Sequence, residues 1–135
     1  MRLTWVIAAG LYVTALPFAY AQAPPATRPP PGSNEVLRSP LAGTPGVEVI
    51  VSDVVIPPNG QVARHYHPGE EFLYLIEGTA IHVEHGKPDL PLKVGDSYAI
   101  PPRAIHAPRG GPEGARAIVF RVHVAGQPER IEAPE

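Results

Sequence analysis

The sequence predicts an all-β fold, a small barrel or two-sheet jelly roll, and three observations carry that expectation. Nineteen prolines and thirteen glycines among 135 residues leave little room for helices, whose interiors both residue types break. From Leu41 onward apolar residues alternate with polar ones, the period of half-buried strands. No segment carries an apolar stripe of helical period. Roughly 85 residues of short strands must then close around one core, and closure removes the unpaired edges of an open sheet. The length suits one domain. At 44% apolar and 18% charged residues the chain is not disordered as a whole.

Residues 1–21 read as a secretory signal: Arg2, an apolar run from Leu3 to Phe18, then Ala19-Tyr20-Ala21 as a small-x-small cleavage site. Gly10 and Pro17 interrupt the run and no basic stop-transfer cluster follows, so no stable membrane anchor is expected after cleavage. The expected location is periplasmic or secreted. The remainder holds 10 basic and 13 acidic side chains, a formal charge of −3, which argues against nucleic acid as a partner. With no cysteine in the chain, disulfides and thiolate chemistry are excluded, and any metal site must use nitrogen and oxygen donors.

Residues 22–40, rich in proline and nearly free of large apolar side chains, are expected to form an extended, solvated spacer. The barrel is expected over 41–126 and a tail over 127–135. Val47 to Ile56 make the first long strand, closed by Pro57-Pro58-Asn59-Gly60; a homodimer is expected to pair through it. Phe72 to Ile76 make a second, closed by Glu77-Gly78, and Thr79 to His85 a third, turning at Gly86-Lys87-Pro88-Asp89. Leu90, Leu92 and Val94 lead to a turn at Gly95-Asp96, and Tyr98-Ala99-Ile100 end at Pro101-Pro102. After a loop at Gly110-Gly111-Pro112-Glu113-Gly114, Ala117 to Val124 form the last strand.

The chemistry lies in the histidines. His65 and His67 are one residue apart, so on a strand both imidazoles leave the same face, with α-carbons about 6.5–7 Å apart. The turn Pro68-Gly69-Glu70 can bring Glu71 back beside them, and the proline turn before His106 can hold a third imidazole at a strand end. Three nitrogens and one oxygen suit Mn, Fe, Co or Ni octahedrally, with two positions left for water or substrate, or zinc tetrahedrally.

The stretch Gly60-x4-His65-x-His67-x3-Glu71-x6-Gly78 resembles the first signature motif of the cupins, and Gly95-x5-Pro101-x2-Ala104-x-His106 resembles the second. The resemblance covers nearly all of the chain after Leu41. It implies a small conserved barrel with His65, His67, Glu71 and His106 as ligands of one divalent metal ion. Three positions depart from the pattern. Gly60 stands one residue closer to His65 than usual, Arg103 replaces a glycine of the second motif, and Gly110 replaces an asparagine.

Around these four, Glu70 reads as a rim residue, and His85 and His123 as polar groups outside the site. Arg64 and Arg121 read as solvated, Arg103 and Arg109 as exposed, and Tyr74 and Tyr98 as packing. Strand parity alone assigns neither His82 nor Glu84 to the barrel interior. The family resemblance implies dioxygenases, isomerases, decarboxylases and lyases. The function read from the sequence is therefore an exported, metal-binding, single-domain cupin acting as an enzyme on a small oxygenated molecule. The alternative is a module that binds a metal or small molecule without turnover.

Overall fold

The computed structural model describes residues 27–134; the expected signal and the start of the spacer lie outside them. Among the described residues there is no helix. The strands are β1 (Gly32–Pro40), β2 (Val47–Ile56), β3 (His65–Tyr66), β4 (Glu71–His82), β5 (Leu90–Lys93), β6 (Ser97–Ile100), β7 (Arg109–Val124) and β8 (Ile131–Glu132). One sheet runs β1-β2-β7-β4-β5 with β6 also on β4, and β3 pairs β8 in a second. All pairs are antiparallel, as an all-β jelly roll requires.

The strand at β2 has the expected bounds, since its alternating valines stop at Pro57-Pro58, where Gly60 N–H closes a turn on the Pro57 carbonyl at 2.9 Å. It lies between β1 and β7, so both of its edges are paired and it has no free edge for a second copy. The spacer expected up to Pro40 ends sooner. Gly32–Pro40 form β1, laddered on β2 from Gly32↔Val55 to Pro40↔Glu48. An edge strand is held by backbone pairing and needs few buried side chains; Val36 and Leu37 stay exposed.

Two expected breaks are continuous strand. Glu77-Gly78 lies inside β4, and the glycine-rich segment 110–114 lies inside β7. Both strands bend there instead. Gly78 and Gly114 have φ of +69° and +80°, and a Cβ on Gly78 would sit 2.1 Å from the Gly114 carbonyl oxygen. Only glycines permit that contact and conformation. The ladder between β4 and β7 slips on both sides of Gly78. β4 is bent enough there that Glu71 at its start and His82 at its end both reach the neighbourhood of His106. Ile56, Leu75, Ala80, Leu92 and Ala115 form the apolar core. The short strand β8 falls within the expected tail, where two residues leave no periodicity to read.

Candidate metal centre

Backbone bonds bring the two motifs together before any side chain is considered. His65 N–H donates to the His106 carbonyl at 3.0 Å, His106 N–H returns a bond to the His65 carbonyl at 2.9 Å, and Arg103 N–H donates to the His67 carbonyl at 2.8 Å. The tight turn that allows this has Arg103 at φ +63°, the left-handed conformation usually left to glycine, at a cost of about 1 kcal/mol. The Arg103 guanidinium lies over the Tyr66 ring at 5.4 Å, which offsets part of that cost.

All three imidazoles are anchored in the same way. Nδ1 of His65 donates to the Ala63 carbonyl at 2.7 Å, Nδ1 of His67 to the Glu129 carbonyl at 2.6 Å, and Nδ1 of His106 to the Ala104 carbonyl at 2.9 Å. A proton held on Nδ1 leaves Nε2 with a bare lone pair. The three side chains are buried, and their donor atoms all lie within 4.8 Å of one another.

Glu71, the fourth expected ligand, stands at the edge of this trio. Its Oε2 is 3.1 Å from Nε2 of His67, and its Oε1 is 4.0 Å from Nε2 of His106. Nε2 of His67 is buried with no hydrogen-bond partner, so a bare nitrogen and a carboxylate oxygen face each other as two acceptors. That arrangement is repulsive until a proton or a cation joins them. The donor set therefore fits a divalent ion.

Burial lowers His65 and His67, and charge then holds Glu71 ionised. Burial, with the charge of His106 second, pushes the His65 imidazole down to about 4. Burial likewise lowers His67, helped by Arg121 and opposed by Glu71. For Glu71 burial acts upward, but Arg121, His67 and His106 together outweigh it and hold the carboxyl below its ordinary value. At neutral pH His65 and His67 are neutral imidazoles beside a carboxylate, the form metal ligation requires.

The sequence reading misses Arg121. Expected to be solvated, it is 6% exposed. Its Nε donates to Glu71 Oε2 at 2.6 Å, and its Nη1 reaches Ser52 Oγ, Ser33 Oγ and Glu129 Oε1. Its place opposite Glu71 belongs to the ladder between β4 and β7 and leaves no local signal in the sequence. His82, left open by parity, is interior: its Nε2 donates to Glu84 Oε2 at 3.2 Å, and its Nδ1 is buried without a partner. Glu84 is bound further by Tyr98 at 3.1 Å and Lys87 at 2.7 Å, so Tyr98 does more than pack. Arg109 pairs with surface Asp89, Glu70, His85 and Tyr74 are exposed, and His123 is buried on the Gln127 carbonyl, away from the site.

A cavity of about 140 Å³ adjoins the histidines. His65, Glu71, His82 and His106 line one part of it, and Ile56, Leu75, Leu92 and Ala115 another. It has room for a small molecule with a polar head and an apolar body.

The cupin domain family model matches residues 52–128, more than half of the chain. The 3-hydroxyanthranilate 3,4-dioxygenase of Ruegeria pomeroyi is 30% identical over 96 residues, 69% of this chain and 49% of that protein. The chain thus spans about half the length of this curated relative. Among solved structures, a cupin-like protein from Thermotoga maritima superposes with a TM-score of 0.55 at 23% identity, covering 76% of this chain and 90% of that one. The DMSP lyase of Ruegeria pomeroyi gives a TM-score of 0.55 at 22% identity, over 67% of this chain and 44% of the lyase. At these identities the two structures speak for the fold alone.

Proposed function

This chain belongs to the cupin domain family, and on that premise we propose that it is a metal-dependent enzyme. It holds one divalent first-row ion on His65, His67, His106 and Glu71 and acts on a small oxygenated molecule in the adjoining cavity. The observation that carries the reading is the common anchoring of the three Nδ1 atoms on backbone carbonyls, which turns three bare Nε2 atoms toward one place. A dioxygenase among its relatives agrees with it. Once bound, such an ion supplies Lewis acidity toward substrate oxygens and, if it is iron, access to O₂.

The chain's own groups divide the remaining work. Arg121 holds one oxygen of Glu71 and leaves the other facing His106. The unpartnered Nδ1 of His82, kept bare by the bond from Nε2 to Glu84, is placed to accept a hydrogen bond from a substrate hydroxyl in the cavity. The apolar lining excludes water from the body of the substrate. Metal analysis of natively purified protein, followed by O₂ uptake and conversion of a metabolite mixture after loading with Fe(II), tests this. No bound metal and no uptake from Mn, Fe, Ni or Zn overturns the metal site; bound metal without turnover leaves the binding module.

The same reading includes export, resting on the sequence of residues 1–21, and a homodimer. With β2 enclosed, the apolar area for a dimer is the exposed pair Phe72 and Phe120, opposite each other on β4 and β7, with Tyr74 beside them. Sedimentation of wild type against Phe72→Ser tests it.

A further inference from the structure

We infer that the C-terminal segment Gly126–Glu132 is a strap that sets the geometry of the metal centre, with Glu129 as its positioning residue. The inference rests on the metal reading above. It goes beyond the family match, which ends at residue 128.

The strap touches the surroundings of three of the four proposed ligands. The Glu129 carbonyl accepts the Nδ1 proton of His67 at 2.6 Å and so fixes that ring's tautomer and direction. The Glu129 carboxylate accepts from Arg121 Nη1 at 2.8 Å, while Arg121 Nε holds Glu71 Oε2 at 2.6 Å. One guanidinium is thus shared by two carboxylates, one from the barrel and one from the strap. β8 pairs β3 with Glu132 opposite His65, and Arg130 Nη2 donates to the same Ala63 carbonyl that anchors His65, at 3.3 Å. Arg38 of β1 steadies the strap from outside through Glu129 Oε2 at 3.4 Å.

The sharing of Arg121 decides how Glu71 behaves. With Glu129 in place, the positive charge of Arg121 is divided, and Glu71 keeps acceptor capacity toward the histidines. Without the Glu129 charge, the whole of Arg121 acts on Glu71 and withdraws it from an ion competing for the same oxygens. Partners of this kind are worth about 10–100-fold in metal affinity.

The test is titration of the full chain with Mn(II) by calorimetry, with Co(II) absorption as a geometric readout. Glu129→Gln keeps the side-chain volume and should raise the Mn(II) Kd about tenfold and shift the Co(II) spectrum. Glu113→Gln makes the same charge change on an exposed part of β7 and should leave both unchanged. In an Arg121→Met background the effect of Glu129→Gln should fall below about twofold, because the coupling passes through Arg121. Arg38→Met, at the surface, removes a cation that competes with Arg121 for Glu129, so binding should tighten by about two- to threefold, which keeps the inference testable should Glu129→Gln fold poorly. Wild type that binds no Mn(II) removes the metal reading and this inference with it. Wild type that binds, while Glu129→Gln and Arg38→Met bind equally well with unchanged spectra, removes the strap alone.

Discussion

Glu71 and Glu84 are equally buried, each at 6% exposure, and both approach His106, yet they are held in different ways. Glu71 is held by buried Arg121 on Oε2, and its oxygens face two bare histidine nitrogens at 3.1 and 4.0 Å. Glu84 has both oxygens taken, Oε1 by Lys87 and Oε2 by His82 and Tyr98, and Lys87 lies half in solvent. A carboxylate suited to a metal has acceptor capacity left over toward the other ligands and is fixed by a buried cation. Glu71 meets that description and Glu84 does not.

The largest effect that could break this comparison comes from removing each carboxylate's cation. Arg121→Met leaves Glu71 buried without its main partner, and loss of one half of a buried pair costs about 3–5 kcal/mol. Lys87→Met removes a half-exposed partner and should cost under about 1 kcal/mol. Urea unfolding of the metal-free proteins measures both. Equal losses would mean that Arg121 is no more than another surface cation.

Acid sharpens the comparison next. In the metal-free protein the His65 imidazole is pushed from 6.5 down to about 4. Between those values the unfolded chain binds a proton that the folded chain does not, so stability falls as pH drops from about 6.5 towards about 4. For His65 alone the loss is about 3 kcal/mol, and His67 and His82, lowered by burial as well, add in the same direction. Glu71 and Glu84 are lowered too, and their contribution is lost below the ordinary carboxyl range. An ordinary histidine would place proton competition for metal near pH 6, whereas burial moves it lower. Melting in chelator between pH 4 and 8 checks the slope; a flat profile down to pH 5 would contradict the buried, neutral imidazoles.

Metal itself comes third. At a free concentration one hundred times Kd it should stabilise the wild type by about 2.7 kcal/mol. In His65→Ala, His67→Ala that rise should vanish while the apolar strands still fold. His85→Ala, on an exposed residue, should keep it. An identical rise in the double variant would place the ion elsewhere.

How much of this was legible follows from the kind of signal each feature leaves. The bounds of β2 are legible to the residue because valines alternate at its start and Pro57-Pro58 stop it. The three histidines were legible because ligand spacing is a local property of two short motifs. The corner at Gly78 and Gly114 was not: each glycine alone reads as a turn, and only their contact, so close that a Cβ on Gly78 would fall 2.1 Å from the Gly114 carbonyl oxygen, shows that two long strands bend together. Arg121 and Glu129 escaped for a related reason. Their roles depend on a ladder partner fifty residues away in one case and on a main-chain carbonyl in the other, which no side-chain pattern encodes. β1 was hidden because edge pairing leaves its side chains exposed.

The smallest effect is the most discriminating. Glu84→Gln keeps the shape of the side chain, removes its charge, and lets the amide oxygen still accept from Tyr98 or His82. One charge-assisted bond to Lys87 is weakened, at about 1 kcal/mol. Because neither Glu84 oxygen faces the Nε2 atoms of His65, His67 and His106, the Mn(II) Kd should stay within about twofold of wild type. Glu71→Gln is the same substitution in the other setting. There it places an amide against bare His67 Nε2 and removes the anionic donor, so the Kd should rise at least about tenfold. The two isosteric variants share chemistry and volume and differ in the cation that holds the carboxylate and in what lies across from it. Calorimetric titration of both therefore reads the comparison directly: equal changes would show that the ion responds to total charge near His106, and unequal ones that it uses the Glu71 carboxylate.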